Sequence, residues 1–167
     1  GRSYLSIGSF HCPGDRSYAV VTNRALPRVR SYSMNSHMGS GEFYHGLGNP
    51  VPEGILEYDY VTLAHVEERS PSRLFVFIDE QEDSIGDGRF DFEPAPATDR
   101  YWGALPGSRH GRAANLSFAD GHTEMHRWQE ASTIYPIERK NRPRFVISTI
   151  SRDIQWVREH GTEPVAR

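Results

Sequence analysis

Residues 115–128, Asn-Leu-Ser-Phe-Ala-Asp-Gly-His-Thr-Glu-Met-His-Arg-Trp, constrain the fold more than any other stretch of the chain. Two alternating segments flank Asp120-Gly121, a pair that readily adopts the positive φ values of a tight reversal. The pattern predicts an antiparallel hairpin closed by a two-residue type I′ turn. That turn sets a register in which Ala119 faces His122, Phe118 faces Thr123, Ser117 faces Glu124, Leu116 faces Met125 and Asn115 faces His126. Leu116, Phe118, Thr123 and Met125 then share the core face. Asn115, Ser117, His122, Glu124 and His126 share the other.

Other segments supply partners for this hairpin. Residues 74–78 (Leu-Phe-Val-Phe-Ile) are apolar throughout and rich in β-branched and aromatic side chains, which predicts a strand buried on both faces. Residues 144–150 predict another strand, and residues 55–64 fit either a strand or a short helix. The first 54 residues, dense in Gly, Ser, Asn and Pro, predict irregular structure with one or two short strands, one of them near Tyr18-Ala19-Val20-Val21. Residues 94–106 read as a loop from which Tyr101, Trp102 and Leu105 can cover the core. Residues 151–161 predict a short helix, with Ser151 capping its first amides, Asp153 at the positive end of its dipole and Gly161 closing it. The class is α+β, an antiparallel sheet with long loops, and residues 1–167 form one domain.

Composition narrows the function classes. The chain is 37% hydrophobic and 25% charged with 15 Gly and 11 Pro, as in a turn-rich globular protein. A formal net charge of −3 gives no overall electrostatic case for nucleic acid. The single cysteine, Cys12, excludes an internal disulfide and reads as a small buried residue, and no cysteine-based zinc site is expected from it. No stretch approaches the roughly 20 apolar residues of a membrane span, and the first residues lack the regions of a signal peptide. The expectation is a cytosolic chain or one without its targeting segment, and Gly in place of an initial Met favours the latter.

Two polar clusters require a chemical test. Residues 79–93 carry seven acids against one arginine, which predicts a surface loop after the strand at 74–78. As an EF-hand the segment fails: a frame from Asp79 puts Ser84 where Gly is needed and Phe90 where Glu is needed, and a frame from Asp83 puts Ile85 third and Pro94 twelfth. An irregular calcium loop of Asp79, Glu80, Asp83 and Asp87 remains a candidate, against a solvated surface or one paired with Arg73 and Arg89. His122 and His126 would share one turn of a helix, but on a strand they lie about 13 Å apart, too far for one metal. His110 and Asp120 are candidates for a hydrogen-bonded pair bracing the turn. Ser108 and Ser117 offer hydroxyls without a Gly-x-Ser-x-Gly elbow.

His110, nine intervening residues and Asp120-Gly121 resemble the signature of the prepilin-type processing-associated H-X9-DG domain. Cys12-Pro13-Gly14-Asp15 is similar to that family's early CPxD element, with Gly14 where Ser is more usual. Arg30-Ser31-Tyr32-Ser33-Met34-Asn35 with Met38-Gly39 is similar to its SYxMN segment. Phe75-Val76-Phe77-Ile78-Asp79-Glu80, with Asp83-Ser84-Ile85 and Asp87-Gly88, is similar to its strand and acidic-loop block. Leu105-Pro106, Arg109-His110, Asn115, Phe118-Ala119-Asp120-Gly121-His122 and Trp128 fit the signature region, 105–128.

The resemblance implies a non-enzymatic structural subunit of a type II secretion pseudopilus or type IV pilus-like assembly. It implies a pilin-like α+β head whose N-terminal spine helix, with a basic leader and peptidase site, is missing from this sequence. The expected partners are other pilin-like subunits through that helix, the prepilin peptidase acting on the precursor, and the inner membrane. The expected location is the periplasm or cell exterior, anchored at the inner membrane. On this reading His110, Asn115, Phe118, Asp120, Gly121 and His122 are structural and no residue is catalytic. Calcium at Asp79, Glu80, Asp83 and Asp87 is the one cofactor considered, because major pseudopilins carry calcium in the head. The competing readings are a metal-dependent hydrolase using His110, Asp120 and His122, and an adhesive head that binds glycans or peptides.

Overall fold

The computed structural model describes residues 7–39, 63–67, 70–92, 101–138, 145–146 and 151–162. A 3-10 turn at Ile7–Phe10 leads into strands β1 (Tyr18–Val21), β2 (Arg24–Pro27) and β3 (Tyr32–Asn35). A five-residue helix α1 (Leu63–Glu67) and a 3-10 turn (Pro71–Arg73) precede β4 (Phe75–Asp79) and β5 (Arg89–Phe90). Then come β6 (Tyr101–Trp102), β7 (Ala113–Phe118), β8 (Thr123–Arg127), β9 (Phe145–Val146) and the helix α2 (Arg152–Gly161). The main sheet has the order β5-β3-β4-β7-β8 and is antiparallel except for the β3–β5 pair. β1 pairs with β2 and β6 with β9 in separate two-stranded units. The α+β class and the antiparallel pairing expected from the sequence are both present. The expected strand and helix alternatives at 55–62, and the strand ends at 144 and 147–150, lie outside the described residues.

The predicted hairpin forms, but one residue out of the predicted register. Ser117 pairs with Thr123, Leu116 with Glu124, Asn115 with Met125 and Ala114 with His126. The loop holds three residues: Gly121 N–H donates to Phe118 O at 3.0 Å, Phe118 N–H donates to His122 O at 2.9 Å, and Gly121 sits at φ +91°. This is a type I turn followed by a glycine bulge, the next commonest way to close a hairpin. The single-residue shift turns every side chain of β8 over. Met125 is 61% exposed instead of buried, whereas His122, Glu124 and His126 share a face with Leu116 and Phe118. His122 stacks on Phe118 with ring centroids 4.3 Å apart, and His126 stacks on Trp156 of α2 at 3.7 Å. The two-residue turn occurs elsewhere: Thr22 and Asn23, at φ 47° and 62°, join β1 to β2.

β4 is buried on one face, not two. Its pairing with β7 shifts between Phe75 and Phe77, so a bulge at Val76 brings Phe75 and Ile78 to the same inner side while Phe77 is 45% exposed. Phe75 and Ile78 pack with Phe90, Phe92, Trp102, Leu105, Leu116 and Phe118 of the core, closed by Trp128 and by Ile154 and Val157 of α2. Trp102 and Leu105 thus cover the core as expected, although Tyr101–Trp102 is a strand within the predicted loop.

α2 forms where expected. Ser151 Oγ accepts from Ile154 N–H at 3.2 Å, and Asp153 accepts from the backbone amides of Gln129 and Glu130. Asn35 ties the helix end to the sheet: its amide nitrogen donates to Phe75 O at 2.9 Å and Gly161 O at 2.7 Å, and its oxygen accepts from His37 N–H at 2.9 Å. Gly161 is the last helical residue, with Thr162 as the cap, and it does not stop the helix by a left-handed conformation. Its lack of a side chain serves packing, because a Cβ there would lie 2.2 Å from Phe92 Cζ and 2.9 Å from Phe75 Cε1.

Candidate functional site

The acidic stretch is not a surface loop over its first half. Asp79, Glu80, Gln81, Glu82 and Asp83 are all buried, Glu80 completely. Burying such a run is costly only without partners, and here partners arrive from segments far away in sequence. Arg109 is the principal one. Its guanidinium lies 3.3 Å from Asp79 Oδ1 and 3.3 Å from Glu82 Oε2, and donates to Glu80 O at 2.8 Å. Burial works against the Arg109 charge, but Glu82, Asp79 and Asp15 outweigh it and raise the pKa above its ordinary value. Glu80 accepts from Ser33 and Ser84, yet burial dominates and pushes its carboxyl up to about 7. Asp83 accepts from Glu138 N–H at 2.6 Å, and Asp87 pairs with Arg89 at 3.6 Å on the surface. Arg89 thus pairs as expected. The four carboxylates proposed for calcium, Asp79, Glu80, Asp83 and Asp87, engage separate partners and do not form a cluster.

His110 and Asp120 are not a pair. They flank β7 at opposite ends, about 20 Å of strand apart. Asp120 instead closes its own turn, accepting from His122 N–H at 3.1 Å and contacting His122 Nδ1 at 2.6 Å. The hydrogen bonds from His122 hold the Asp120 carboxyl below its ordinary range. The set His110, Asp120 and His122 is therefore not brought together.

His110 turns the other way, toward the start of the chain. A loop with two consecutive left-handed residues, Gly111 at φ 65° and Arg112 at φ 70°, carries it beside the end of β4. Its Nε2 lies 3.3 Å from Asp79 Oδ2 and 3.3 Å from Cys12 Sγ. The three ligand-type atoms lie within 4.8 Å of one another, the only such group of three or more His, Cys, Asp or Glu among the described residues.

The Asp79 carboxylate and the Cys12 backbone are held by further hydrogen bonds. Asp79 Oδ2 accepts from Asn115 N–H at 3.1 Å and from Asn115 Nδ2 at 3.3 Å, while Oδ1 faces Arg109. Cys12 N–H donates to Ser31 Oγ at 3.1 Å, and Ser31 Oγ donates to Asp15 Oδ2 at 2.6 Å. Asp15 N–H returns to Cys12 O at 2.9 Å, closing the Cys-Pro-Gly-Asp segment as a turn. Burial opposes the Asp15 charge, but the hydrogen bonds from Ser31 and Ser17 outweigh it and lower the pKa. Cys12 is 1% exposed and the His110 side chain 31% exposed, so access to the group is from the imidazole side.

Cys12 is buried as the sequence suggested, but it is not isolated. Its imidazole and carboxylate neighbours come from 98 and 67 residues away, and no local spacing signals them. Arg109 was likewise legible only as a neighbour of His110. A separate cavity of about 590 Å³ opens nearby, lined in part by Gly14, Arg16, Arg28, Glu82 and Arg109.

Comparison with known proteins finds no family model, curated protein or solved structure that matches the chain. Among the described residues no helix is long and apolar enough to cross a membrane.

Proposed function

We propose that the chain is the globular head of a pilin-like structural subunit, and that it performs no catalysis. One observation supports this reading above the others. The sequence blocks that resemble the H-X9-DG family, at Cys12–Asp15, Ser31–Asn35, Asp79–Glu80, Arg109–His110 and Asn115, meet in one buried hydrogen-bonded framework. Ser31 joins the first block to the second, Glu80 N–H donates to Ser31 O at 2.9 Å, and Arg109 and Asn115 both hold Asp79. Side chains used in this way fasten loops to a sheet. The Asp120-Gly121 half of the signature closes a hairpin and likewise has a structural use.

On this reading the precursor carries a basic leader and a hydrophobic spine helix, the peptidase cleaves the leader, and the head projects from the inner membrane into the periplasm or beyond. Its partners are other subunits of the same assembly. The test is mass spectrometry of the N-terminus of the full gene product purified from its own cells, with sheared surface filaments probed for the protein. A cleaved, N-methylated hydrophobic N-terminus and presence in filaments are expected. An unprocessed polar N-terminus would refute the assignment.

A further inference from the structure

We propose that Cys12, Asp79 and His110 form a binding site for a borderline divalent transition metal, zinc above all, that clasps the N-terminal turn to the sheet. The three donors converge. A nucleophilic Cys-His-Asp relay uses both ring nitrogens, one toward the thiol and one toward the carboxylate. Here a single nitrogen, Nε2, faces both Sγ and Oδ2 at 3.3 Å. Three ligand-type atoms within 4.8 Å of one another are close enough to share one metal ion. In a tetrahedral zinc site, bonds of about 2.3 Å to sulfur and about 2.0–2.1 Å to nitrogen and oxygen place neighbouring donors roughly 3.3–3.6 Å apart. The two separations at Nε2, 3.3 Å each, lie close to this range, and Sγ and Oδ2 lie within 4.8 Å of each other.

Charge favours the same occupant. Around the group, the buried carboxylates Asp15, Asp79 and Glu82 face one buried guanidinium, Arg109. A thiolate at Cys12 would add a further negative charge, and a divalent cation offsets the excess in a region where unpaired charge is costly. The Asp79 carboxylate is also supported, and the His110 side chain is 31% exposed. Asn115 and Arg109 fix the Asp79 carboxylate from two sides, as outer partners of a ligand do. Gly14 adjoins the group, since a Cβ there would stand 3.6 Å from Cys12 Sγ and 4.0 Å from His110 Cε1. A sulfur, an imidazole nitrogen and one carboxylate oxygen select zinc or cobalt(II) over calcium or magnesium, which favour oxygen. Binding replaces the thiol proton with the metal and releases that proton to solvent. The site does not depend on the pilin-like reading, because it uses only residues of this chain.

Cobalt(II) gives an unambiguous probe. Cys12 is the only cysteine, so any cobalt–thiolate charge-transfer band in the near ultraviolet reports this residue. The chain, stripped with a chelator and kept reduced, is expected to bind one cobalt with that band, and zinc is expected to displace it. Zinc at about a hundredfold excess over its dissociation constant is expected to raise Tm by roughly 5–10 °C. X-ray absorption at the zinc edge is expected to show one sulfur at about 2.3 Å with nitrogen and oxygen at about 2.0–2.1 Å. His110→Gln, checked for its fold by circular dichroism, is expected to abolish the band, whereas a His122→Ala/His126→Ala double variant keeps it. Absence of the band in the unaltered chain at saturating cobalt overturns the proposal. So does a band that survives intact in folded His110→Gln, or a zinc-edge spectrum without sulfur. Should His110→Gln fail to fold, the cobalt band and the zinc-edge spectrum of the unaltered chain decide the matter by themselves.

Discussion

Gly161→Ala sets helix propensity against packing at the end of α2. Alanine is favoured over glycine in a helix interior by about 1 kcal/mol, and by less at the last residue. Against this, the new Cβ would lie 2.2 Å and 2.8 Å from two ring atoms of Phe92 and 2.9 Å from Phe75 Cε1. Both rings are buried and lie 5.9 Å apart, centroid to centroid, so neither has free space into which to retreat. Overpacking of this kind costs about 1–3 kcal/mol, occasionally more. The net expectation is a destabilisation of about 1–2 kcal/mol, which lowers Tm by roughly 2–8 °C in a chain of this size. Urea and thermal unfolding monitored by circular dichroism measure it. Gly86→Ala is the control, since its Cβ would meet only Ser84 O at 3.7 Å, and it is expected to be nearly neutral. A Gly161→Ala protein as stable as the parent would refute the claim that Gly161 exists to admit Phe92.

Three further outcomes are expected. Asn35→Ala should cost about 2–4 kcal/mol in urea unfolding, because it strips partners from Phe75 O, Gly161 O and His37 N–H in a buried place. Gly121→Ala should cost about 1 kcal/mol and Gly121→Asn less, since the strain at φ +91° is purely conformational with nothing within 4 Å of the new Cβ. The urea midpoint of the parent should fall between about pH 7.5 and about pH 5.5 by more than that of His126→Gln. Burial and, more weakly, His160 hold the His126 pKa below its ordinary 6.5, against the opposing pull of Glu124 and Asp153. Its neutral form is therefore favoured on folding, and its contribution is complete above about 6.5 and lost as pH drops through the lowered value. Equal losses in parent and variant would count against this.

The parts legible in the sequence were those with local causes. The hairpin at Asp120-Gly121, the strand near 74–78 and the Ser151-capped helix each follow from turn chemistry, alternation or capping within a few residues. Register was not legible, because two- and three-residue loops are both compatible with Asp-Gly and differ by a single inserted residue. That insertion exposes Met125 and sends His126 onto Trp156. The bulge at Val76 likewise converted an apolar run into a strand with one exposed face.

By itself the sequence determined which segments turn, extend or coil, since those preferences belong to the backbone and its nearest side chains. Only the tertiary structure decided what the polar residues do. An acidic run reads as solvated until Arg109 arrives to pair with it, and Cys12 reads as inert until the loop before β7 brings His110 to within hydrogen-bonding distance of it and β4 brings Asp79 to within 4.8 Å. Charge and ligand chemistry act through space, and the distances that govern them are set by how distant segments pack.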